Sequence, residues 1–183
     1  MTDRGTILAA IDTADLEQAA AQAGRLGPAV GGLKLGLEFF MAHGAPGYRR
    51  VAQAMGAKGP APIFLDLKFH DIPNTVAGGV RNAAALGARL VTVHATGGRA
   101  MLEAAVAAAG DSCGILAVTV LTSLHAAEVA EAWGRADPLD VSVEVLRLAE
   151  IAAAAGAHGI VCSGREAAAV RDRFGARLAT LVP

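Results

Sequence analysis

Seven short apolar runs recur along the chain, and a longer stretch rich in alanine follows nearly every one. The runs are TILAAID (6–12), GGLKLGL (31–37), PIFLDLK (62–68), RLVTVHA (89–95), GILAVTVLT (114–122), HGIVCS (158–163) and RLATLV (177–182). They are continuous rather than alternating, the pattern of strands covered on both faces in a parallel sheet. Helices are expected between them at 14–27, 38–55, 74–86, 99–109, 139–155 and 165–174. Most of these stretches end at or next to a glycine (Gly27, Gly56, Gly87, Gly110, Gly156, Gly175), where a left-handed cap is wanted. Hydrophobic residues make up 54% of the chain and aromatics only 4%. The expected core is therefore Leu, Ile and Val, with alanine-rich helices packed closely on it.

Repeated strand–helix units give an α/β fold, either a doubly wound sheet or a (β/α)8 TIM barrel. The placement of polar residues favours the barrel. Asp12, Lys34, Asp66, Lys68, His94, Thr122 and Ser123 fall at or near the C-terminal ends of five successive runs. A barrel gathers all those ends around one mouth, whereas an open sheet brings together only those beside its switch point. A barrel typically needs about 250 residues, and this chain has 183. The expectation is thus one barrel domain over residues 1–183, C-terminally incomplete, lacking the eighth strand and the C-terminal phosphate-binding loops.

Charge and cysteine content exclude several function classes. A formal net charge of −1, without a basic stripe, gives no purchase for nucleic acid or an anionic membrane. Cys113 and Cys162 sit in apolar contexts and read as small buried hydrophobes rather than a disulfide or metal pair. The opening MTDRGTILAAID lacks the long apolar stretch of a signal peptide, and no segment reaches the roughly 18 apolar residues of a membrane span. The expected location is the cytoplasm.

Asp66 and Lys68 carry the chemistry. Residues two apart in a strand share a face, so both side chains are expected to project into the barrel, with Asp71 in the loop beyond. A structural ion pair would need only one acid and one base. Asp12 and Lys34 add another of each, and burying so many charges costs several kcal/mol apiece. The cluster is better explained by catalysis. His94 reads as a structural histidine, and His70 as shaping the loop between Lys68 and Asp71. Gly97-Gly98 suit either an anion-binding turn or a tight strand-to-helix turn. His43, His125 and His158 have no constellation around them.

The segment FLDLKFHDIPNT resembles the active-site segment of the orotidine 5′-monophosphate decarboxylase family, D-x-K-x-x-D-I-P-x-T. LAAID, GLKLGLEFF, VTVHATGG and AVTVLTS occur in that family's order and near its spacing. The resemblance implies a (β/α)8 barrel that decarboxylates orotidine 5′-monophosphate to UMP in de novo pyrimidine biosynthesis, with no cofactor and no metal. It implies a homodimer with shared active sites, in which Asp71 and Thr75 reach the partner's site. Lys68 would protonate C6 of the pyrimidine, and Asp66 would lie against the substrate carboxylate. Asp12 and Lys34 would hold ribose hydroxyls. Ile72 would join the substrate-binding set, and Thr122 or Ser123 would meet the pyrimidine edge.

Two rivals follow. A metal-dependent phosphosugar decarboxylase or aldolase of the same superfamily would use a carboxylate near the end of strand two to help hold magnesium. Lys34 occupies that region, and Glu38 is the nearest acid. The other is an inactive truncated scaffold: the family grips the phosphate beyond strand seven, and Pro183 matches the first residue of that turn. A chain ending there is expected to bind phosphate weakly, turn over slowly and expose a sheet edge.

Overall fold

The structure is a computed structural model that describes residues 6–56, 62–137 and 139–183; the MTDRG that opens the sequence lies outside them. The strands are β1 (Leu8–Ile11), β2 (Gly32–Gly36), β3 (Ile63–Phe69), β4 (Leu90–His94), β5 (Gly114–Val118), β6 (Gly159–Val161) and β7 (Ala179–Leu181). The helices are α1 (Leu16–Leu26), α2 (Leu37–Ala54), α3 (Pro73–Ala85), α4 (Arg99–Ala109), α5 (Ala126–Ala132), α6 (Val141–Ala154) and α7 (Ala167–Phe174). The strands follow one another in the sheet in chain order.

By internal contacts the chain divides into two compact units, Met1–Leu67 with Arg81–Val91, and Lys68–Val80 with Thr92–Pro183. In the first, β1 pairs parallel to β2 with Ala10 opposite Lys34, and β2 pairs parallel to β3 with Gly36 opposite Asp66. Leu33, Leu35 and Leu65 are fully buried in this ladder. The Asp15 carboxylate caps α1 by accepting from the Gln18 backbone N–H at 2.8 Å. Helix α1 packs on α2 through Ala19, Ala20 and Ala23, and Gly24 lets the Ala54 carbonyl come within 3.0 Å of where its Cβ would be.

In the second unit β5, β6 and β7 pair parallel, with Ala117 opposite Ile160 and Ile160 opposite Thr180. Helix α6 is capped by Asp140, which accepts from the Ser142 and Val143 N–H groups. It covers β6 and packs on α4 and α7, burying Val145, Leu148, Ala149 and Ala152.

Several expectations need correction. The run 114–122 is strand only to Val118, which lies opposite Val161, the last residue of β6; beyond it Thr119 donates both its N–H, at 3.2 Å, and its hydroxyl, at 2.8 Å, to the Val161 carbonyl. Thr122 and Ser123 consequently lie in an exposed turn beyond the strand, not at its end. Helix α5 was not anticipated; Glu128 starts it by accepting from the His125 backbone N–H at 2.7 Å. Helix α2 is broken at Gly44 (φ 53), two residues before Pro46. Gly27 has φ −48 and continues into a short 3-10 turn, so it is no left-handed cap, unlike Gly56, Gly87, Gly110, Gly156 and Gly175, all at positive φ.

Candidate active site

In the first unit, Asp12 follows the last residue of β1, Lys34 is the middle residue of β2, and Asp66 is on β3. The strand register sets them side by side. Lys34 Nζ donates to Asp12 Oδ1 at 3.0 Å and lies 4.0 Å from Asp66 Oδ2. Their side chains are not equally sheltered: Asp66 is 14% exposed, Lys34 24% and Asp12 68%. The cost of burying charge therefore falls mainly on Asp66 and Lys34, less than the sequence argument supposed. Gly36 keeps the space beside the pair open, since a Cβ there would stand 3.7 Å from Lys34 Nζ.

Lys68 opens the second unit, and its side chain is exposed. It has φ 48, the one non-glycine residue at positive φ among the described residues. That conformation costs an L-residue about 1–2 kcal/mol. It also departs from the extended backbone that the two-residue periodicity presumes. The Lys68 N–H donates to Thr92 Oγ1 at 2.9 Å, and Thr92 is completely buried on β4. Thr92 was missed in the sequence; a lone hydroxyl among the valines of LVTVH is the signal that marks it.

Beyond Lys68, the His70 ring stacks at a tilt on His94, with centroids 5.3 Å apart. Asp71 Oδ1 accepts from the Ile72 N–H at 2.6 Å, and the Ile72 carbonyl accepts from Thr75 and Val76. The turn thus feeds directly into α3, with Pro73 at its first position, where a missing N–H does no harm. Asp71, Ile72 and Thr75 are exposed, Ile72 by 66%. Thr122 and Ser123 are also exposed, in the turn where Leu124 N–H bonds the Leu121 carbonyl.

An ammonium bonded to one carboxylate and facing another suits binding hydroxyls, and the exposed ammonium of Lys68 suits stabilising negative charge. Among the described residues no three His, Cys, Asp or Glu side chains gather closely enough to hold a metal ion.

The model of the orotidine 5′-phosphate decarboxylase / HUMPS family matches residues 5–183. The chain belongs to this family. Among its relatives, the orotidine 5′-phosphate decarboxylase of Novosphingobium aromaticivorans is 49% identical, over 92% of this chain and 71% of that protein. The enzyme of the same name from Anaeromyxobacter sp. (strain K) is 51% identical, over 97% of this chain and 74% of that protein. In the solved orotidine 5′-phosphate decarboxylase of Lactobacillus acidophilus, 31% identical, the match covers 98% of this chain and 81% of that one with a TM-score of 0.84. The fold class is accordingly that of these decarboxylases, the (β/α)8 barrel expected from the sequence, with seven strands among the described residues. Among those residues no helix is long and apolar enough to cross a membrane.

Proposed function

We propose that the chain is a carboxy-lyase that converts orotidine 5′-monophosphate to UMP without a cofactor, in de novo pyrimidine biosynthesis. The family includes phosphosugar enzymes, so membership alone leaves the reaction open. The observation that carries this reading is the ammonium of Lys34 on β2, bonded to Asp12 at 3.0 Å and facing Asp66 at 4.0 Å. A cation in the place where a magnesium-dependent relative would need a carboxylate repels the metal. The relatives that are 49% and 51% identical, both orotidine 5′-phosphate decarboxylases, support the same reading.

In this reaction the C6–carboxylate bond breaks, CO2 departs and the electron pair stays on C6. That carbanion has no conjugated sink, so stabilisation must come from fixed charge. In our reading Lys68 supplies it and then gives C6 a proton, regaining one from solvent. Asp66 stands against the substrate carboxylate, a repulsion relieved as the carboxylate passes its charge to C6 and leaves as neutral CO2. Binding energy from the remote ribose and phosphate holds the substrate against it. Asp12 and Lys34 take ribose hydroxyls. Ile72 lines the substrate, and Thr122 or Ser123 meets the pyrimidine edge. Asp71 and Thr75 act in the partner's site of a cytoplasmic homodimer.

The test is to incubate the protein with orotidine 5′-monophosphate, with and without EDTA, and to measure UMP and CO2. Equal yields of both, unaffected by EDTA, are expected. No turnover of the nucleotide, together with magnesium-dependent consumption of a phosphosugar, would replace this reading with the other branch of the family. Inertness toward both classes would leave a non-catalytic scaffold.

A further inference from the structure

Resting on the decarboxylase reading, we propose that His70 is a positioning residue for Lys68, acting through its ring stack on His94 rather than through proton transfer. The segment 68–71 is short and has to hold an unfavourable backbone conformation at Lys68, φ 48. Left to itself, such a residue relaxes toward the extended region that the preceding strand occupies. Two attachments oppose that relaxation. At the front, the Lys68 N–H is bonded to the buried Thr92 hydroxyl at 2.9 Å. Two residues on, the His70 ring lies against His94, the last residue of the strand that carries Thr92, with centroids 5.3 Å apart and planes tilted by 36°.

The surroundings are shaped to admit the His70 ring. Gly97 lies three residues after His94, and a Cβ added to it would come 3.2 Å from His70 Cδ2 and closer still to the Met101 sulfur. The glycine therefore leaves room for both the imidazole and Met101, the latter almost fully buried. The backbone between Lys68 and His70 is thus pinned at both ends to one strand, β4. An aromatic ring of the right size is what this arrangement uses. Nothing in it calls on the imidazole to carry a proton.

The experiment compares His70→Ala with His70→Phe, which keeps a ring and discards the titratable nitrogens. Misplacing a catalytic group by about 1 Å costs on the order of 100-fold in rate. His70→Ala should therefore lower kcat by roughly 10- to 100-fold with little change in KM. His70→Phe should recover most of that loss and keep the wild-type pH profile. If His70→Phe is as impaired as His70→Ala, or its pH profile changes, the imidazole itself is at work and the proposal is wrong. Full activity in His70→Ala refutes it as well.

Hydrogen exchange at the Lys68 amide gives a readout independent of turnover. It should quicken in His70→Ala and not in His70→Phe. That comparison stands even if the wild-type protein fails to decarboxylate the nucleotide, in which case the functional reading falls and the positioning inference is judged on exchange alone. Equal exchange in all three proteins overturns it.

Discussion

The ammonium of Lys34 bonds the carboxylate of Asp12 at 3.0 Å, and the same nitrogen lies 4.0 Å from Asp66. One cation thus orders two acids that differ greatly in exposure, Asp12 at 68% and Asp66 at 14%. An exposed pair contributes under about 1 kcal/mol to stability, so the Asp12 contact is poor as a staple. Its value lies in fixing where the charges stand.

Lys34→Ala should therefore separate function from stability. Loss of a preorganised charge costs roughly 100- to 1000-fold in turnover, while the melting temperature should move by only a few degrees. Parallel kinetics and thermal melts check this. A large drop in melting temperature with turnover preserved would make the array structural.

Lys68 carries two separable properties, its ammonium and its positive φ. Both Lys68→Ala and Lys68→Gly should abolish product formation. Glycine adopts φ 48 without penalty, so Lys68→Gly should be more stable than Lys68→Ala by about 1 kcal/mol, the left-handed cost less glycine's extra chain entropy. Denaturant titrations of the two inactive variants measure the difference. Greater stability in the alanine variant would show that the strain at this position is not real.

Asp71 and Thr75 are exposed beside a 66% exposed Ile72, as residues serving a partner's site would be. If sites are shared, Lys68→Ala and Asp71→Ala are each inactive alone, yet a hybrid dimer has one site with both residues intact. After the two are unfolded together and refolded, roughly a quarter of wild-type activity should return, half the dimers being hybrids with one of two sites working. No recovery, with dimer formation verified by light scattering, would place both residues in the same subunit's site.

The sequence was most informative where one residue pattern has one physical cause. The run Arg99–Ala109 is a helix with the bounds expected of it, since its alanines and the following Gly110 leave no competing conformation. The positions of β2 through β4 were legible because their continuous apolar runs are largely buried. What escaped depended on partners distant in sequence. Strand β5 ends where its partner does, with Val118 opposite Val161, the last residue of β6. The backbone of Lys68 turns left-handed although nothing in FLDLKFHD is a glycine, because Thr92 on β4 supplies an acceptor for its N–H. Side-chain alternation presumes extended backbone throughout, and Lys68, at φ 48, is not extended.

The pairing of β6 with β7 depends on a missing side chain. A Cβ at Gly159 would stand 2.4 Å from the Ala179 carbonyl oxygen, and that oxygen belongs to the backbone and has no rotamer to escape to. Gly159→Ala should destabilise the protein by about 1–3 kcal/mol, the usual cost of overpacking. Gly164→Ala is the control. Its Cβ would meet only Val182 Cγ1 at 3.7 Å, and a change within about 0.5 kcal/mol is expected. Equal effects from the two substitutions would mean that β7 yields without cost.

Cys162 supplies a pH test of the buried end of β6. Burial pushes its thiol from the ordinary 9.0 up to about 11, and the negative charge of Glu166 adds to the shift. A raised acid stays protonated in the folded protein while its unfolded counterpart ionises. Between about pH 9 and 11 the native state therefore binds the extra proton, and stability falls as pH rises. Below pH 9.0 both states keep the proton and the penalty is absent; above about 11 it is fully developed. Two pH units correspond to at most about 3 kcal/mol. Other groups titrate over the same range, so the comparison is with Cys162→Ala, whose lost packing lowers stability equally at every pH. Urea unfolding of both proteins from pH 8 to 11 should show the wild type falling more steeply above pH 9, so that the gap between the two narrows. Parallel curves would mean that the Cys162 thiol ionises as readily in the folded protein as in the unfolded chain.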